Sequence, residues 1–321
     1  MTALSELAAW IAARGELSLL THVSPDGDTL GSALGMYSAL TKAGVRVRVI
    51  SPDPVPARYA FLPGADKVLL YDPSLLPMEN ALAVDVSAIS RLGGIAERFA
   101  EIPNTACIDH HGTNPGFAGL NVIDETAGAT GIPVLSLLHA LNLPIDRDTA
   151  TCLYVAISTD TGNFSFSNTD ARAFCAAAEL AACGIDISDI ARTVFRLRPA
   201  SKTKLLGRIV SNAEFWKDGQ IALSVARLSD LADCGADRSQ LDGLINELMD
   251  TAGVRVALLL EERPDGQTKC SVRTGEGVDA AALALRFQGG GHERAAGMTL
   301  PCGLPAAKEQ ILAAAREALG E

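Results

Sequence analysis

Basic residues are scarce in this chain of 321 residues, in which 27 lysines and arginines stand against 38 aspartates and glutamates. The formal net charge at pH 7 is therefore −11. Proteins that coat long DNA or RNA usually carry a basic surface, because the phosphate backbone supplies much of their binding energy. The charge balance argues against long duplex partners. It leaves room for a site that binds a small anion through metal ions.

Long apolar runs and paired cysteines are also missing. No apolar stretch approaches the roughly 20 residues that cross a bilayer, and the N-terminus lacks the basic start and apolar run of a signal peptide. The seven cysteines are odd in number and form no Cys-x-x-Cys pair. This indicates buried thiols in a reducing compartment rather than a disulfide framework. We therefore expect a soluble cytoplasmic protein with no membrane association.

The composition that remains is that of a folded protein, because 48% of the residues are hydrophobic and only 20% are charged. Over the first two hundred residues, short apolar runs alternate with helical stretches. This alternation predicts an α/β fold with a mainly parallel sheet and helices on both faces. The predicted strands are 17–22, 45–51, 81–86 and 105–109, and the predicted helices between them are 30–43 and 89–100.

A change of pattern near residue 200 predicts a second, smaller domain. The locally basic stretch 195–204 contains Pro199 and interrupts the apolar rhythm. Beyond it, apolar runs flank turn sequences at 217–220 and 263–266, which indicates two β-hairpins in an α+β domain. We predict a first domain over 1–190, a linker over 191–207 and the second domain over 208–321.

The first group of candidate functional residues follows the first predicted strand. His22, Asp26 and Asp28 lie where the strand ends and a helix begins, the position at which open α/β sheets form their sites. Gly27 between the two aspartates gives the backbone the freedom to turn both carboxylates toward one point. Two structural alternatives stay open: Asp28 caps the following helix, or Pro-Asp-Gly forms an ordinary turn.

Further acids and imidazoles occupy the same position after other strands. Asp109, His110 and His111 end the strand at 105–109, while Asp85 and Asp160 each follow an apolar run. A carboxylate placed there is costly to bury unless it is paired or binds a metal. Adjacent histidines on an extended chain point in different directions, so one can bind a metal while the other faces substrate. A hydrogen-bonded loop pair and solvent-exposed acids are the alternatives.

A glycine-rich group near the C-terminus is the third candidate. Gly289, Gly290 and Gly291 precede His292 and a predicted helix, so exposed backbone N–H groups and a helix N-terminus would suit a phosphate or a carboxylate. The alternatives are a flexible linker or a helix-capping turn. The apolar rather than Ser-rich flanks disfavour a linker.

The histidines link the three groups. The chain contains only five, and four of them fall within the groups just described, while His139 lies on an apolar helix. Chance placement would not concentrate them in this way. The combination favours a metal site.

The order His22-x3-Asp26-x-Asp28, Asp85, Asp109-His110-His111, Asp160 and Gly-Gly-Gly-His292 resembles the DHH phosphoesterase superfamily with its C-terminal DHH-associated domain. The resemblance spans the chain. The length and the final glycine motif are similar to the NrnA-type nanoRNases. That group includes short-oligonucleotide exonucleases, phosphatases of 3′-phosphoadenosine-5′-phosphate (pAp) and cyclic-dinucleotide phosphodiesterases.

The resemblance implies a site for two Mn²⁺ ions bridged by Asp85. The expected ligands are His22, Asp26 and Asp85 for one ion, and Asp28, Asp85, His110 and Asp160 for the other. Asp109 is expected to orient His110, and His111 to face the scissile phosphate. This set of imidazole and carboxylate ligands also suits Mn²⁺ chemically.

The resemblance also implies that Arg273 and the segment Gly289–His292 bind the rest of the nucleotide across an interdomain cleft. The planar guanidinium of Arg273 suits a phosphate, although a plain surface arginine is the alternative. Two features depart from the family pattern. Gln288 stands where relatives often carry the first of four glycines, and the segment 126–131 lacks the acidic residue that many relatives have.

We therefore predict a Mn²⁺-dependent phosphoesterase that hydrolyses short RNA oligonucleotides to mononucleotides and dephosphorylates pAp. A phosphodiesterase for cyclic-di-AMP or its linear product pApA is the main alternative. An inorganic pyrophosphatase and a non-catalytic nucleotide sensor are weaker ones. A homodimer is compatible with the sequence.

Overall fold

Two chain segments, each with its own sheet and core, make up the protein. The computed structural model describes residues 3–74 and 78–320. The first unit spans Met1–Leu197 and the second spans Arg198–Glu321. Within the described ranges, no helix combines the length and the apolar character needed to cross a membrane.

The first unit is built on a six-stranded sheet in which all described pairings are parallel. Its strands are β1 (Glu16–Leu20), β2 (Arg46–Ser51), β3 (Leu69–Leu70), β4 (Asn80–Val84), β5 (Asn104–Asp109) and β6 (Leu120–Ile123). The spatial order is β3-β2-β1-β4-β5-β6, so β1 and β4 lie at the centre. The predicted α/β class with a mainly parallel sheet is confirmed.

Helices cover both faces of this sheet. They are α1 (Ala3–Ala12), α2 (Gly27–Lys42), α3 (Ala96–Phe99), α4 (Gly131–Ala140), α5 (Arg147–Asp160), α6 (Ala171–Ala182) and α7 (Ile187–Ala191). Successive residues of β4 enter opposite cores: Leu82 and Val84 join one cluster, while Ala81 and Ala83 join the other. This is why the strand is a continuous apolar run rather than an alternating one.

The second unit contains a mixed six-stranded sheet of order β11-β12-β10-β9-β8-β7. Its strands are β7 (Glu214–Trp216), β8 (Ile221–Ala226), β9 (Val256–Glu262), β10 (Thr268–Thr274), β11 (Gly290–His292) and β12 (Ala295–Leu300). Its helices are α8 (Ala200–Ser211), α9 (Leu228–Cys234), α10 (Leu244–Met249), α11 (Ala280–Leu285) and α12 (Leu304–Ala318). Both predicted hairpins are present, as the antiparallel pairs β7–β8 and β9–β10.

The helix predicted after the three glycines is absent from the described structure, and this prediction was wrong. Gly290–His292 is a short edge strand that pairs antiparallel with Ala295–Leu300. Burial of Ala296, Met298 and Leu300 follows the period of two that belongs to a strand. The glycines therefore present backbone at a sheet edge instead of a helix N-terminus.

Close packing of α2 against α5 depends on Gly31. A Cβ atom at this position would lie 2.4 Å from the carbonyl oxygen of Cys152 and 2.8 Å from the backbone nitrogen of Ala156. Backbone atoms in a helix cannot retreat as a flexible side chain can. The glycine is thus required to bring the two helices together behind the sheet.

Replacement of Gly31 by alanine should destabilise the first unit by about 1–3 kcal/mol, the usual cost of overpacking a core. Urea unfolding followed by circular dichroism measures the change. Gly207→Ala is the control, because no described atom lies within 4 Å of the position that its Cβ would take and it sits on an exposed part of α8. That variant should gain about 0.5–1 kcal/mol. Equal effects at the two positions would contradict the packing argument.

Candidate metal centre

The parallel sheet brings the predicted ligands to one edge. His22 follows β1, Asp85 follows β4, and Asp109 ends β5, and these three strands are neighbours in the sheet. Because the strands run in the same direction, their carboxyl ends meet on one side, where α/β folds form their sites. The topology thus gathers side chains that are far apart in the sequence.

The first donor group consists of His22, Asp26 and Asp85. Nε2 of His22 lies 3.6 Å from Oδ1 of Asp26 and 3.6 Å from Oδ2 of Asp85. Asp26 also caps α2, because its carboxylate accepts hydrogen bonds from the backbone N–H groups of Asp28 and Thr29. The capping role considered for Asp28 therefore belongs to Asp26. The cap holds the carboxylate in place toward His22.

The second donor group consists of Asp28, His110 and Asp160. Nε2 of His110 lies 3.1 Å from Oδ2 of Asp160 and 3.9 Å from Oδ2 of Asp28. The same nitrogen lies 3.7 Å from Oδ1 of Asp85. Asp85 therefore directs one oxygen to each group, since Oδ2 faces His22 and Oδ1 faces His110.

The two histidines are oriented as metal ligands usually are. Nδ1 of His22 lies 2.8 Å from the carbonyl oxygen of Val23, and Nδ1 of His110 lies 3.1 Å from that of Ala127. A carbonyl accepts only, so Nδ1 donates and Nε2 of the neutral ring keeps its lone pair. Nε2 of His110 is buried without a hydrogen-bond partner of acceptable geometry in the described chain. An orphaned nitrogen facing three carboxylates fits a cation.

Asp85 is the most constrained residue of the site. Its side chain is buried, and its backbone adopts a left-handed conformation with φ 61°. Aspartate tolerates this region better than most residues, but the conformation still carries strain that tertiary contacts must offset. The N–H of Asp85 donates to the carbonyl of Ile108, and its Oδ1 accepts from Oγ1 of Thr130 at 2.8 Å.

The clustered carboxylates make the site favourable for positive charge. Burial and the neighbouring carboxylates raise the pKa values of Asp28 and Asp85 above their ordinary range. Burial lowers the pKa of His22 and of His110, but the nearby carboxylates, Asp26 and Asp85 for His22 and Asp160 and Asp85 for His110, outweigh it. The pKa of His22 rises to about 10 and that of His110 to about 9. In the metal-free protein, bound protons thus offset the negative charge of the carboxylates, which a divalent cation would otherwise offset.

Asp109 does not orient His110, and this expectation was wrong. Its Oδ1 lies 2.8 Å from Nδ1 of His111, and its Oδ2 accepts from Nδ2 of Asn114 at 2.7 Å. Side chains alternate along an extended chain, so residues 109 and 111 share a side while His110 points the other way. The Ala127 carbonyl orients His110 instead.

Several supporting residues were not predicted from the sequence. The carboxylate of Asp28 accepts hydrogen bonds from the backbone N–H groups of Thr130 and Gly131 at 2.6 and 3.0 Å, and from Oγ of Ser32 at 3.0 Å. Thr130 and Gly131 lie in the segment noted above for its missing acidic residue. Only the Thr-Gly pair at the N-terminus of α4 is a sequence signal for these two residues. A guanidinium nitrogen of Arg91 also lies 3.1 Å from Nδ1 of His22, but it makes no hydrogen bond there, because this ring nitrogen donates its own proton to Val23.

The predicted substrate-binding residues lie together on the second unit. Arg273 of β10 pairs in register with Ala295 of β12, which pairs with His292 of β11. A Cβ on Gly291, whose φ is 151°, would meet the carbonyl oxygen of Ala295 at 2.4 Å. Gly291 therefore serves strand pairing. Gly290 has no described atom within 4 Å of its Cβ position and offers an open approach to the backbone.

Fold and site define a phosphoesterase of the DHH class with a DHHA1 domain. The model of the DHH family N-terminal domain matches residues 17–157, and that of the DHHA1 domain matches residues 220–321. The chain is 36% identical over 309 residues to the bifunctional oligoribonuclease and PAP phosphatase NrnA of Thermus thermophilus, covering 96% of this chain and 91% of that protein. The chain belongs to the DHH family.

Other relatives cover the chain in the same way. The Bacillus subtilis protein that also bears the name bifunctional oligoribonuclease and PAP phosphatase NrnA is 24% identical over 301 residues, covering 92% of this chain and 93% of that protein. The crystal structure of an exopolyphosphatase-related protein from Bacteroides fragilis has a TM-score of 0.86 at 26% identity. It covers 99% of this chain and 95% of that one.

Divalent metal binding should strengthen as the pH rises from 6 to 8. Metal ligation requires neutral imidazole, whereas the pKa values of about 10 and 9 keep His22 and His110 protonated in the metal-free protein. Each ion that displaces one proton should bind about tenfold more tightly per pH unit. Calorimetric titration with Mn²⁺ in buffers of different ionisation enthalpy measures both affinity and proton release. A pH-independent affinity would contradict this account.

Proposed function

We propose that the protein is a Mn²⁺-dependent phosphoesterase that hydrolyses short RNA oligonucleotides and pAp. The observation that supports it most is the position of Asp85 at the carboxyl edge of the parallel sheet, where it belongs to the first donor group and directs its other oxygen to His110 of the second group. The relatives named as oligoribonucleases and PAP phosphatases support the choice of substrates.

The residues present fit two ions. His22, Asp26 and Asp85 would hold one, while Asp28, Asp85, His110 and Asp160 would hold the other. Imidazole and carboxylate donors suit Mn²⁺. When bound, two such ions supply an activated water and neutralise charge on a phosphoryl group.

His111 is suited to act on the leaving oxygen. The hydrogen bond from its Nδ1 to Asp109 raises the pKa of His111, although partial burial opposes the shift. Its side chain is 42% exposed, so Nε2 remains accessible to a substrate. A protonated imidazole in this position can stabilise the phosphoryl group or donate a proton to the departing oxygen. Asn114 in turn donates to Asp109, which fixes the carboxylate that holds the ring.

Arg273, His292 and the open backbone of Gly290 are suited to bind substrate phosphates on the second unit. One N–H of the Arg273 guanidinium donates a hydrogen bond to the carbonyl oxygen of Val272, and the remaining N–H groups can contact a phosphate.

Replacement of Asp85 by asparagine should abolish hydrolysis, with a loss of at least about a thousandfold in kcat. Asparagine tolerates the left-handed backbone as aspartate does, so the change removes the shared charge with little added strain. The measurement is Mn²⁺-dependent release of mononucleotides from a pentaribonucleotide. Asp66→Asn, an exposed charge neutralisation in the same unit, should retain full activity. Near-normal turnover of Asp85→Asn with added Mn²⁺ would refute the proposal.

Replacement of His111 by glutamine should lower kcat by about 10²–10⁴ while Mn²⁺ affinity stays unchanged. His111 also lies in a donor group with Asp85 and His110, so the binding measurement separates a ligand role from a proton-donor role. His139→Gln is the matched control, because that exposed histidine pairs only with Glu179 in the described structure. Loss of Mn²⁺ binding in His111→Gln would make this residue a ligand.

Turnover of five substrates on one preparation separates the competing functions: a pentaribonucleotide, pAp, pApA, cyclic-di-AMP and pyrophosphate. The proposal predicts that the first two are hydrolysed most efficiently. Preference for pyrophosphate would make the protein a pyrophosphatase. Preference for cyclic-di-AMP or pApA would identify a cyclic-dinucleotide phosphodiesterase. Absence of turnover on all five would favour a nucleotide sensor.

A further inference from the structure

The loop that follows the candidate metal ligand Asp160 presents an aromatic ring to solvent. Helix α5 ends at Asp160 and α6 begins at Ala171. In the loop between them, Phe166 is 60% exposed. A single exposed phenylalanine on a protein surface needs no explanation. What distinguishes this one is the backbone that holds it and its place beside a candidate metal ligand.

The backbone after α5 is left-handed over three successive residues. The φ angles of Gly162, Asn163 and Phe164 are 56°, 55° and 63°. An ordinary helix end uses one left-handed residue, which is usually glycine or asparagine. A side chain as bulky as that of Phe164 enters this region only at a cost, and here its ring contacts those of Tyr154 and Phe174. Strain of this kind persists only where tertiary contacts impose it, and it is concentrated at ligand sites.

Hydrogen bonds hold the loop in this shape. Oγ1 of Thr161 accepts from the N–H of Phe164 at 3.2 Å, and the carbonyl oxygen of Thr161 accepts from the N–H of Phe166 at 3.0 Å. Nδ2 of Asn168 donates to the carbonyl oxygen of Asp160 at 3.1 Å. The loop is therefore fixed to the backbone of a candidate metal ligand. A ring on this loop keeps a defined position relative to the metal centre.

The aromatic ring of Phe166 lies against the backbone of Gly162. A Cβ atom at Gly162 would come within 2.4 Å of ring atom Cε1 of Phe166, so only glycine admits the ring here. Thr161 has near-helical backbone angles, which place the Cα atoms of Asp160 and Gly162 about 5.5 Å apart. The ring is therefore close to the backbone of Asp160.

An exposed aromatic face in this position suits a nucleobase. Bases stack on aromatic side chains, and such a contact tolerates any base sequence because every base has a π-face. In a nucleotide, only the ribose separates the base from its phosphate. A phosphoryl group at the metal centre thus brings its base within reach of the adjacent loop. A phosphate ester that carries no base would gain nothing from the ring.

We propose that Phe166 stacks on the nucleobase of the nucleotide whose phosphoryl group lies at the metal centre. The left-handed turn at 162–164 places the ring, and the hydrogen bonds to Thr161 keep it there. The stack selects nucleotides over pyrophosphate and over sugar phosphates without a base, but it does not select one base sequence. The inference rests on the proposed function, because it assigns a specificity-determining residue for that substrate class.

Binding of two small ligands tests the stack without turnover. Calorimetric titration of the Mn²⁺-loaded protein compares 5′-AMP with ribose 5-phosphate, which lacks the base. The wild-type protein should bind 5′-AMP at least about fivefold more tightly. Phe166→Ala should lose this preference and leave the affinity for ribose 5-phosphate unchanged. Equal or undetectable affinities for both ligands in the wild-type protein, or a preference that survives in Phe166→Ala, would overturn the proposal.

Further substitutions separate stacking from apolar bulk, while Tm reports folding in each variant. Phe166→Tyr keeps an aromatic face and should preserve the preference for 5′-AMP, whereas Phe166→Leu keeps apolar bulk alone and should lose most of it. Phe215→Ala is the matched control, because Phe215 of β7 is exposed to a similar degree, 51%, and should leave the preference unchanged. Full preference in Phe166→Leu would contradict the stack.

Turnover distinguishes failure of this inference from failure of the proposed function. Phe166→Ala should raise KM for a pentaribonucleotide and for pAp at least about fivefold, with little change in kcat. If the wild-type protein hydrolyses neither substrate, the proposed function fails, while a base preference in binding still supports the stack. If it hydrolyses both and Phe166→Ala raises KM no more than Phe215→Ala does, the stack is overturned and the proposed function stands.

Discussion

The repulsion between Asp85 and its three neighbouring carboxylates, Asp26, Asp28 and Asp160, is the constraint on which the rest of the site depends. Asp85 is buried at the end of a central strand, holds a left-handed backbone and directs one oxygen to each donor group. Such a cluster is stable only when protons or cations offset its charge. The hydrogen bonds to Asp28 from the segment before α4, and the cap formed by Asp26, fix the carboxylates in the orientation that two cations would require.

The candidate ligands could be predicted because the parallel sheet brings its strand ends together. An acid or histidine directly after an apolar run therefore marks the edge where sites form. The partners of those ligands could not be predicted in the same way. Tertiary packing brings Thr130 and Ala127 to the site, and no local sequence pattern predicts these contacts. Asp109 was assigned to the wrong histidine, although the alternation of an extended chain already places it beside His111.

In the second unit, the three glycines predict the start of a helix, but Gly290 and Gly291 lie in an edge strand. The alternating burial of Ala296, Met298 and Leu300 shows that the segment pairs as a strand, and Gly291 permits the close approach of its neighbour.

The charged residues behind the net charge of −11 are distributed unevenly over the protein. Several of the acids converge at the metal centre, whereas basic side chains collect without acids beside the glycines.

The most direct test of the account is anomalous diffraction at the manganese edge from crystals grown with Mn²⁺. We expect two peaks, one bound by His22 and Asp26 and the other by Asp28, His110 and Asp160, with Asp85 in contact with both. No peak at this edge of the sheet, or peaks that leave Asp85 without a metal contact, would contradict the central claim that this carboxylate unites two cation sites.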